Sequence, residues 1–196
     1  MLLPARLTVG HIPLKDGIGV RFPGRQQIIM KIVPLSKENL EETISLAHKV
    51  FPLDAAGKNP PERGFRKSLS NEANLKSWKG PEHILSRLNY WILLDEKDKV
   101  IGVTCLYGYK EIPEEVWLAW FCLDPNVRGK GLGRQLLEWT MTKAKEEGYK
   151  VFRLYTSTDP NEAPAQKLYE SIGLKVTEEK DDDETPYKIL YRQCNL

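Results

Sequence analysis

The sequence predicts an α/β (α+β) fold in which helices flank a mixed central β-sheet. Apolar runs of strand length alternate with segments of helical period from residue 30 to residue 194. One run of eight apolar residues, 116–123, has acids before it and Asp124 and Pro125 after it, as expected for a strand that is buried on both faces. A glycine-rich loop then leads directly into the clearest helical pattern of the chain.

The length of the chain favours one domain with an N-terminal extension. The 196 residues are enough for one well-buried core and too few to make two domains the default. Residues 1–29 are basic, with Asp16 as their single acid, and glycines and prolines interrupt any period. We therefore divide the chain into an extension, 1–29, and a domain, 30–196. A native segment, an organelle-targeting segment, a start site placed too far upstream and a leader added for expression all remain open for the extension.

Charge and cysteine content exclude several function classes. The 29 basic and 27 acidic side chains leave a net charge of +2, so neither a nucleic acid nor a membrane surface is an expected partner. No apolar run approaches the roughly 20 residues that span a bilayer. The three cysteines form neither a CxxC pair nor a cluster with histidines, which argues against a disulfide framework and against a metal site. A reducing, cytoplasmic setting is expected.

The first half of the domain predicts a strand, a helix and a long irregular stretch. Residues 30–33 predict the strand, and residues 40–50 predict a helix with Ser36 as its N-cap. Further helical stretches are predicted at residues 81–88 and, as a short piece, within residues 62–75.

The second half alternates strands with two helices. The helices carry apolar side chains at helical spacing, each ends before a glycine, and they cover residues 132–147 and 162–172. The strands cover residues 90–94, 100–107, 116–123, 151–155, 174–177 and 187–191. The first two strands form a hairpin around the charged turn 96–98, and the last two close around the acidic turn 180–184.

The loop at residues 127–134 (VRGKGLGR) predicts an anion site. The first amides of a helix have no intrahelical acceptor, and the helix dipole adds positive potential there. Gly129, Gly131 and Gly133 allow the backbone to approach a phosphate without side-chain collision, so a pyrophosphate is the expected guest. Glycine spacing alone also allows an ordinary turn. The spacing matches neither GxxxxGK[ST] nor GxGxxG, which argues against a generic nucleotide-binding domain.

Two segments together resemble a known family. Arg128-x-x-Gly131-x-Gly133 follows Leu123-Asp124-Pro125 and precedes Arg134-x-Leu136-Leu137, and this pattern resembles the [QR]xxGx[GA] motif of the GNAT family of acyl-CoA N-acyltransferases. The later segment Ala165-x-x-Leu168-Tyr169-Glu170-x-Ile172-Gly173-Leu174 resembles the helix and strand that follow in that family. The resemblance implies a GNAT fold with a splayed central strand pair, acetyl-CoA as co-substrate, an amine acceptor and no metal. The residues that it implies for the diphosphate are Arg128, Gly129, Lys130, Gly131, Leu132, Gly133 and Arg134.

The resemblance also implies roles along the central strand and on the last helix. A bulge would expose the amides of Phe121, Cys122 and Leu123, which would hold the pantetheine arm and polarise the thioester carbonyl. Tyr169 would act as the general acid that protonates the leaving thiolate, although a packing role is the alternative for this aromatic side chain.

The general base is less defined. Residues 154–157 lack the glutamate found there in the ribosomal-protein N-terminal acetyltransferases that the signature resembles. Glu114 and Glu115, at the mouth of the central strand, are the candidates, acting directly or through water, and a solvated turn is the alternative. Glu162 stands where the family carries an asparagine, and a shift of one residue would let Asn161 contact the pantetheine.

Two functions from different classes follow. The first is an acetyl-CoA-dependent N-acetyltransferase that acts on a primary amine of a small molecule or peptide by direct attack on the thioester. The second is a non-catalytic acyl-CoA-binding sensor or partner module, which the missing glutamate keeps open. Acceptor specificity is expected from residues 51–88 and from the closing hairpin, with Trp78, Tyr90, Tyr107 and Tyr109 as candidate lining residues. Homodimers are common among such folds, but no feature of this sequence establishes one.

Overall fold

A computed structural model of the chain describes residues 31–57, 59–70, 75–76, 84–183 and 185–196. The predicted extension and Trp78 lie outside these residues. The described strands form one mixed sheet, with helices on both of its faces. None of the described helices is long and apolar enough to cross a membrane.

The strands and helices alternate along the chain much as the sequence predicts. The strands are β1 (Lys31–Pro34), β2 (Leu75–Lys76), β3 (Ile84–Leu94), β4 (Val100–Tyr109), β5 (Glu115–Leu118), β6 (Cys122–Leu123), β7 (Val151–Ser157), β8 (Lys175–Asp181) and β9 (Lys188–Asn195). The helices are α1 (Leu40–Val50), α2 (Pro52–Ala55), α3 (Pro61–Ser68), α4 (Leu132–Glu146) and α5 (Ala163–Ile172). Short 3₁₀ turns at Pro125–Val127 and Pro160–Glu162 precede α4 and α5.

The sheet has the strand order β1-β3-β4-β5-β7-β9-β8, with β2 paired to β3 and β6 paired to β4. Each of these pairings is antiparallel except that of β5 with β7, which is parallel. The predicted mixed sheet is therefore confirmed. The parallel pair stands near its centre, where the chain must cross over through α4 to return to the sheet.

Alternating side chains of the central strands supply two cores. Tyr107 and Trp117 face the core that α1 and α3 cover. Their neighbours Leu106 and Val116 face the opposite core, to which α4 and α5 contribute. Each central strand is thus buried on both faces, as the long apolar runs predict.

Two helix predictions in the first half are wrong. Ser36 is not the N-cap of α1, because the N-cap position is Asn39, whose Oδ1 accepts the Ser36 N–H at 2.9 Å. Residues 84–88 of the predicted helix 81–88 belong to β3, and residues 81–83 lie outside the described residues. A register shift between Leu85 and Arg87 adds one residue to β3, so that Leu85 and Leu88 are both buried at a spacing that imitates a helix.

The remaining predictions differ from the structure chiefly in length. The hairpin strands β3 and β4, strand β7 and helices α4 and α5 lie where they are predicted. The closing strands are longer than predicted, since β8 runs through Asp181 and β9 ends at Asn195. The predicted turn 180–184 therefore begins inside β8. The short helix expected within residues 62–75 corresponds to α3.

Candidate active site

The central strand is interrupted, whereas the sequence predicts one continuous strand over residues 116–123. β5 ends at Leu118 and β6 begins at Cys122. Between the pairs Leu106–Leu118 and Val103–Cys122, the three residues 119–121 lie opposite only two residues of β4. The extra residue makes this segment a bulge, and Trp120 adopts a φ of +46°, which side chains other than glycine rarely adopt. The run is apolar throughout, so its composition conceals the interruption.

A gap opens between this interruption and β7. β5 pairs with β7 only from Glu115 to Trp117. β7 then continues to Ser157, and its later residues pair with β9 alone. Two central strands that separate at one end leave unpaired backbone along the gap. The predicted splay of the central pair is therefore present.

Leu123 presents its peptide groups to the gap. The Asp124 N–H donates to the Ile101 carbonyl at 2.9 Å, and antiparallel pairs alternate between bonded and non-bonded, so the Leu123 groups point away from β4. The Leu123 carbonyl accepts two hydrogen bonds from the Arg128 guanidinium, from Nε at 3.2 Å and from Nη2 at 3.1 Å. The predicted phosphate ligand Arg128 thus also fixes the loop to the end of the strand.

Asp124 holds the turn that starts the loop. Its carboxylate accepts the Asn126 N–H at 2.9 Å and caps the 3₁₀ turn Pro125–Val127. The same carboxylate binds the Lys49 ammonium of α1 at 3.0 Å and 3.1 Å. These contacts tie the start of the loop to the first helix of the domain.

The glycine loop carries a row of unpaired amides. The N–H groups of Val127 and Arg128 donate to the Asp124 and Pro125 carbonyls. Within the described part of the chain, the amides of residues 129–134 donate to no acceptor. Gly131, with a φ of +82°, is the N-cap of α4, and its carbonyl accepts the first helical bond, from Gln135 at 3.1 Å. The result is an open helix start with free donors, as an anion site requires.

Space and charge around these amides also suit an anion. A Cβ placed on Gly129 would meet nothing within 4 Å, and one on Gly131 would meet only Gln135 Nε2 at 3.8 Å. Lys130 is exposed, whereas the Arg134 guanidinium donates to Ser171 Oγ at 2.6 Å. A Cβ on Gly133 would be in ordinary van der Waals contact with the Leu123 side chain, at 3.6 Å, so this glycine faces packed side chains and not open space.

Tyr169 lies on the α4 and α5 side of the gap. It is 7% exposed, and its ring centroid is 6.4 Å from that of Phe121. Its hydroxyl forms no hydrogen bond with another of the described residues. Burial raises the pKa of Tyr169 well above its usual value, and the Glu162 charge raises it further. The structure thus brings the predicted acid next to the predicted bulge, with its proton retained at neutral pH.

The predicted bases Glu114 and Glu115 do not lie beside Tyr169 and the interruption of the central strand. Glu114 forms an ion pair with Lys150, and Glu115 forms one with Arg153 Nη2 at 2.7 Å. Glu115 is the first residue of β5 and Glu114 precedes it, at the end where β5 is still paired with β7. The interruption and Tyr169 are at the other end of the strand.

The resemblance to the family leads us to expect Asn161 beside the gap, but the structure places Glu162 there. Asn161 is exposed in the turn Pro160–Glu162, with its N–H bonded to Asp159 Oδ1 at 2.8 Å. The Glu162 carboxylate instead points to the end of β7, where it accepts Ser157 Oγ–H at 2.6 Å, the Ser157 N–H at 3.1 Å and the Thr156 hydroxyl. A carboxylate, not an amide, therefore lies beside the gap.

A pocket opens on the opposite side of the gap from Tyr169. Its volume is about 530 Å³, including the part that is open to solvent, and it is lined by Asn59, Pro60, Arg63, Gly64, Tyr107, Ala119, Trp120 and Tyr155. Trp120 faces this pocket and the next residue, Phe121, faces Tyr169, so the interruption separates the two faces of the sheet.

Among the predicted lining residues that the structure describes, only Tyr107 lines the pocket, and Trp78 lies outside the described residues. Tyr90 and Tyr109 are buried in the core behind it. Sequence reasoning missed Arg63, Trp120 and Tyr155. The only signal available for them was the general expectation that residues 51–88 shape the acceptor site, which points to Arg63 alone. Within the described residues, no three His, Cys, Asp or Glu side chains form a group that would hold a metal.

Comparison with known proteins agrees with this geometry. Residues 58–174 match the acetyltransferase (GNAT) family. A peptidyl-lysine N-acetyltransferase of Escherichia coli (strain K12), YjaB, is 31% identical over 102 residues, which are 51% of this chain and 60% of that protein. The chain thus aligns with less than two thirds of the length of this curated relative.

Solved structures show the same fold. The ribosomal-protein-S18-alanine N-acetyltransferase of Escherichia coli superposes with a TM-score of 0.61 and 16% identity over 85% of this chain and 93% of its own. A spermidine N-acetyltransferase of Vibrio cholerae, solved with CoA and spermine, gives a TM-score of 0.63 and 14% identity over 85% and 95% of the two chains. Since its family match covers more than half of the sequence, and contains the interrupted strand, the glycine loop and Tyr169, this chain belongs to the acetyltransferase (GNAT) family.

Proposed function

We propose that this protein transfers the acetyl group of acetyl-CoA to a primary amine of a small molecule or peptide. The observation that carries the proposal is the row of unpaired amides at residues 129–134. The loop that carries them follows β6, which borders the gap in the sheet. These amides, with the dipole of α4 and the exposed Lys130, suit the diphosphate of CoA. From there the pantetheine arm would run along the gap, where the Leu123 N–H is available to it.

In this proposal the two substrates approach from opposite faces of the sheet. The acyl-CoA side contains Tyr169, and the pocket with Trp120 and Tyr155 receives the amine. Acetyl-CoA supplies the thioester. The neutral amine nitrogen forms a bond to the carbonyl carbon, the carbon–sulfur bond breaks, and the Tyr169 hydroxyl donates its proton to the leaving thiolate. The proton that the nitrogen releases as it becomes an amide returns through water to the Tyr169 phenolate, so the hydroxyl is restored. The Leu123 N–H, which points away from β4, would stabilise the oxyanion that forms between bond formation and bond breaking, whereas the same alternation directs the Cys122 amide to β4.

The amine must lose a proton before it attacks, because an alkyl ammonium has a pKa of about 10.4. Glu114 and Glu115 would accept this proton only through water, since both are ion-paired at the far end of β5. No carboxylate lines the described pocket. That observation favours the second candidate, a domain that binds acyl-CoA without turnover.

The proposal also covers the setting in which the protein works. We assign residues 30–196 to one catalytic domain and place it in the cytoplasm, since its three cysteines are free and two of them are buried. Acetyl-CoA and the amine are the partners that the site accounts for. The absence of nucleic-acid and membrane partners remains a prediction from the sequence, and a homodimer is common among such folds without being established by any feature of this sequence.

Release of free thiol from acetyl-CoA in the presence of a panel of amines tests the proposal. An enzyme releases thiol in proportion to acetylated amine, which mass spectrometry identifies. A sensor would bind CoA and shift the melting temperature, yet it would release thiol only at the rate seen without protein. The second result would reject the transferase in favour of the binding module.

A further inference from the structure

Arg63 is an arginine without a carboxylate partner at the acceptor pocket. It lies in the first turn of α3 and lines the pocket. Its Nη1 donates to Asn59 Oδ1 at 3.1 Å, and it has no other polar partner within the described residues. Arg66, one turn along the same helix, pairs with Glu41 at 3.0 Å.

The other described arginines show how unusual this is. Arg87, Arg134, Arg153 and Arg192 are each paired with a glutamate. In the described part of the chain, therefore, only Arg63 and Arg128 lack a carboxylate. Arg128 stands at the loop proposed for the diphosphate. Arg63 likewise presents its planar guanidinium group at the acceptor pocket, where a carboxylate of the acceptor would accept its hydrogen bonds.

One carboxylate, that of Glu162, is held at the end of β7 next to the pocket, although it does not line the pocket. Glu162 is fixed to Thr156 and Ser157, the two residues that follow Tyr155 on β7. An ammonium group is favoured near this carboxylate before it loses its proton.

Aromatic side chains line the same pocket as Arg63. They are those of Trp120, Tyr107 and Tyr155. Tyr155 is 55% exposed and lies 6.1 Å from the ring of Tyr191, so part of this aromatic surface is open. Such a surface binds a hydrocarbon stem, and the faces of its rings attract a cation.

We infer that the acceptor carries a carboxylate as well as its amine, that Arg63 binds this carboxylate, and that the stem packs on Trp120 and Tyr155. This inference rests on the proposed function and narrows it to amines of amino-acid type, free or at the carboxyl end of a short peptide. A polyamine has no group for Arg63, and its second cation would be repelled there. The acceptor therefore differs from the spermine bound in the structure of the Vibrio cholerae relative.

Matched acceptors and two arginine variants test the inference. The acceptors are free amino acids, their primary amides, the corresponding amines without a carboxyl group, and spermine. For each acceptor, kcat/KM is measured with the native protein and with Arg63→Met, which keeps a long stem and removes the charge. The ratio between the two proteins cancels the different pKa values of the acceptor amines.

We expect the best acceptor to carry a carboxylate, and Arg63→Met to lower its kcat/KM at least about tenfold. The same variant should change kcat/KM by less than about twofold for acceptors without the carboxylate, and it should leave the KM for acetyl-CoA unchanged. Arg63→Lys should recover part of the loss. Arg66→Met, on the same helix but outside the pocket, is the control and should behave as the native protein does.

Three results would overturn the inference. The best acceptor could lack a carboxylate, Arg63→Met could affect all acceptors equally, or Arg66→Met could have the same effect as Arg63→Met. Turnover of amines without a carboxylate preference would refute the inference alone. Absence of turnover with every acceptor, in a protein that still binds CoA, would refute the proposed transferase and the inference with it.

Discussion

Asp124 connects three parts of the candidate site through one carboxylate. It caps the turn before the glycine loop, it ends the interrupted strand, and it binds Lys49 of α1. The Asn126 N–H first, and then the Lys49 ammonium, lowers the pKa of Asp124 below its usual value. A lowered pKa in the folded state means that the charged form stabilises the fold.

Replacement of Asp124 separates its two contacts. Asp124→Asn keeps an oxygen for the Asn126 N–H but removes the charge, whereas Asp124→Ala removes both. We expect the alanine variant to lose about 1 kcal/mol more of the free energy of unfolding than the asparagine variant, as urea denaturation at pH 7 would measure. Equal losses would show that the turn does not depend on this hydrogen bond.

The charge contribution of Asp124 has a defined pH dependence. It is present above the unfolded pKa of about 3.9 and is lost as the pH falls through the lower folded value. The stability difference between the native protein and Asp124→Asn should therefore be constant from pH 7 to about pH 4 and shrink below it. A difference that grows on acidification would contradict the assignment.

Tyr169 is the second residue whose role can be separated from packing. Tyr169→Phe keeps the ring against Phe121 and removes only the hydroxyl. We expect unchanged CoA affinity by calorimetry and a fall in kcat of about a hundredfold, the scale of general acid catalysis. Full activity would assign Tyr169 to the core alone.

The raised pKa of Tyr169 also predicts the alkaline side of the activity profile. Because the folded pKa lies above the usual value of about 10, the hydroxyl keeps its proton throughout the range in which the amine becomes neutral. Activity should rise with pH and show no fall below about pH 10. A fall in activity near pH 8 that disappears in Tyr169→Phe would contradict this prediction, because the hydroxyl would then lose its proton well below about pH 10.

At the scale of elements, the pocket depends on how closely α3 approaches β3. Gly64 of α3 faces Tyr90 of β3, and a Cβ at Gly64 would lie 2.5 Å from the Tyr90 hydroxyl oxygen. The same Cβ would lie 3.7 Å from Trp120 Nε1, at the wall of the pocket. Glycine is therefore required here for close packing and not for an unusual φ.

A double-mutant cycle tests this contact. Gly64→Ala should lower the free energy of unfolding by about 1 to 3 kcal/mol, because α3 must move away from β3. Tyr90→Phe removes the oxygen that the new methyl group would meet, so the double variant should recover most of that loss. Additive effects of the two changes would show that α3 does not rest on Tyr90. Denaturation of the four proteins supplies the measurement.

The elements that the sequence predicts correctly have strong local signals. Helix α4 follows an apolar period and has Gly131 as its N-cap, and α5 has Gly173, with a φ of +94°, as its C-cap. The wrong predictions come from register. The bulge near Leu85 imitates helical spacing, and the apolar residues 119–121 continue the pattern of the strand that they interrupt. Neither bulge can be recognised from amino-acid composition, because each is defined by how its strand pairs with β4.

At the scale of the whole molecule, the site is assembled from distant parts of the chain. The glycine loop is local, and its sequence alone predicts the anion site. Partner choice is not local: Glu115 pairs with Arg153, 38 residues away, whereas Arg63 and Arg66 have the same local appearance but differ in having a carboxylate partner. The candidate base and the acceptor pocket therefore could not be predicted from residue patterns.

The central claim is that the amides of residues 129–134 bind the CoA diphosphate, and calorimetric titration of CoA tests it most directly. Gly131→Asp places a carboxylate at the start of α4, and Gly148→Asp is the matched control, since Gly148 also has a positive φ, of +89°, but lies beyond the other end of α4. The backbone strain is thus similar in both variants. We predict that Gly131→Asp weakens CoA binding at least about tenfold, or about 1.4 kcal/mol, while Gly148→Asp binds as the native protein does. Unchanged affinity in a folded Gly131→Asp variant would contradict the account.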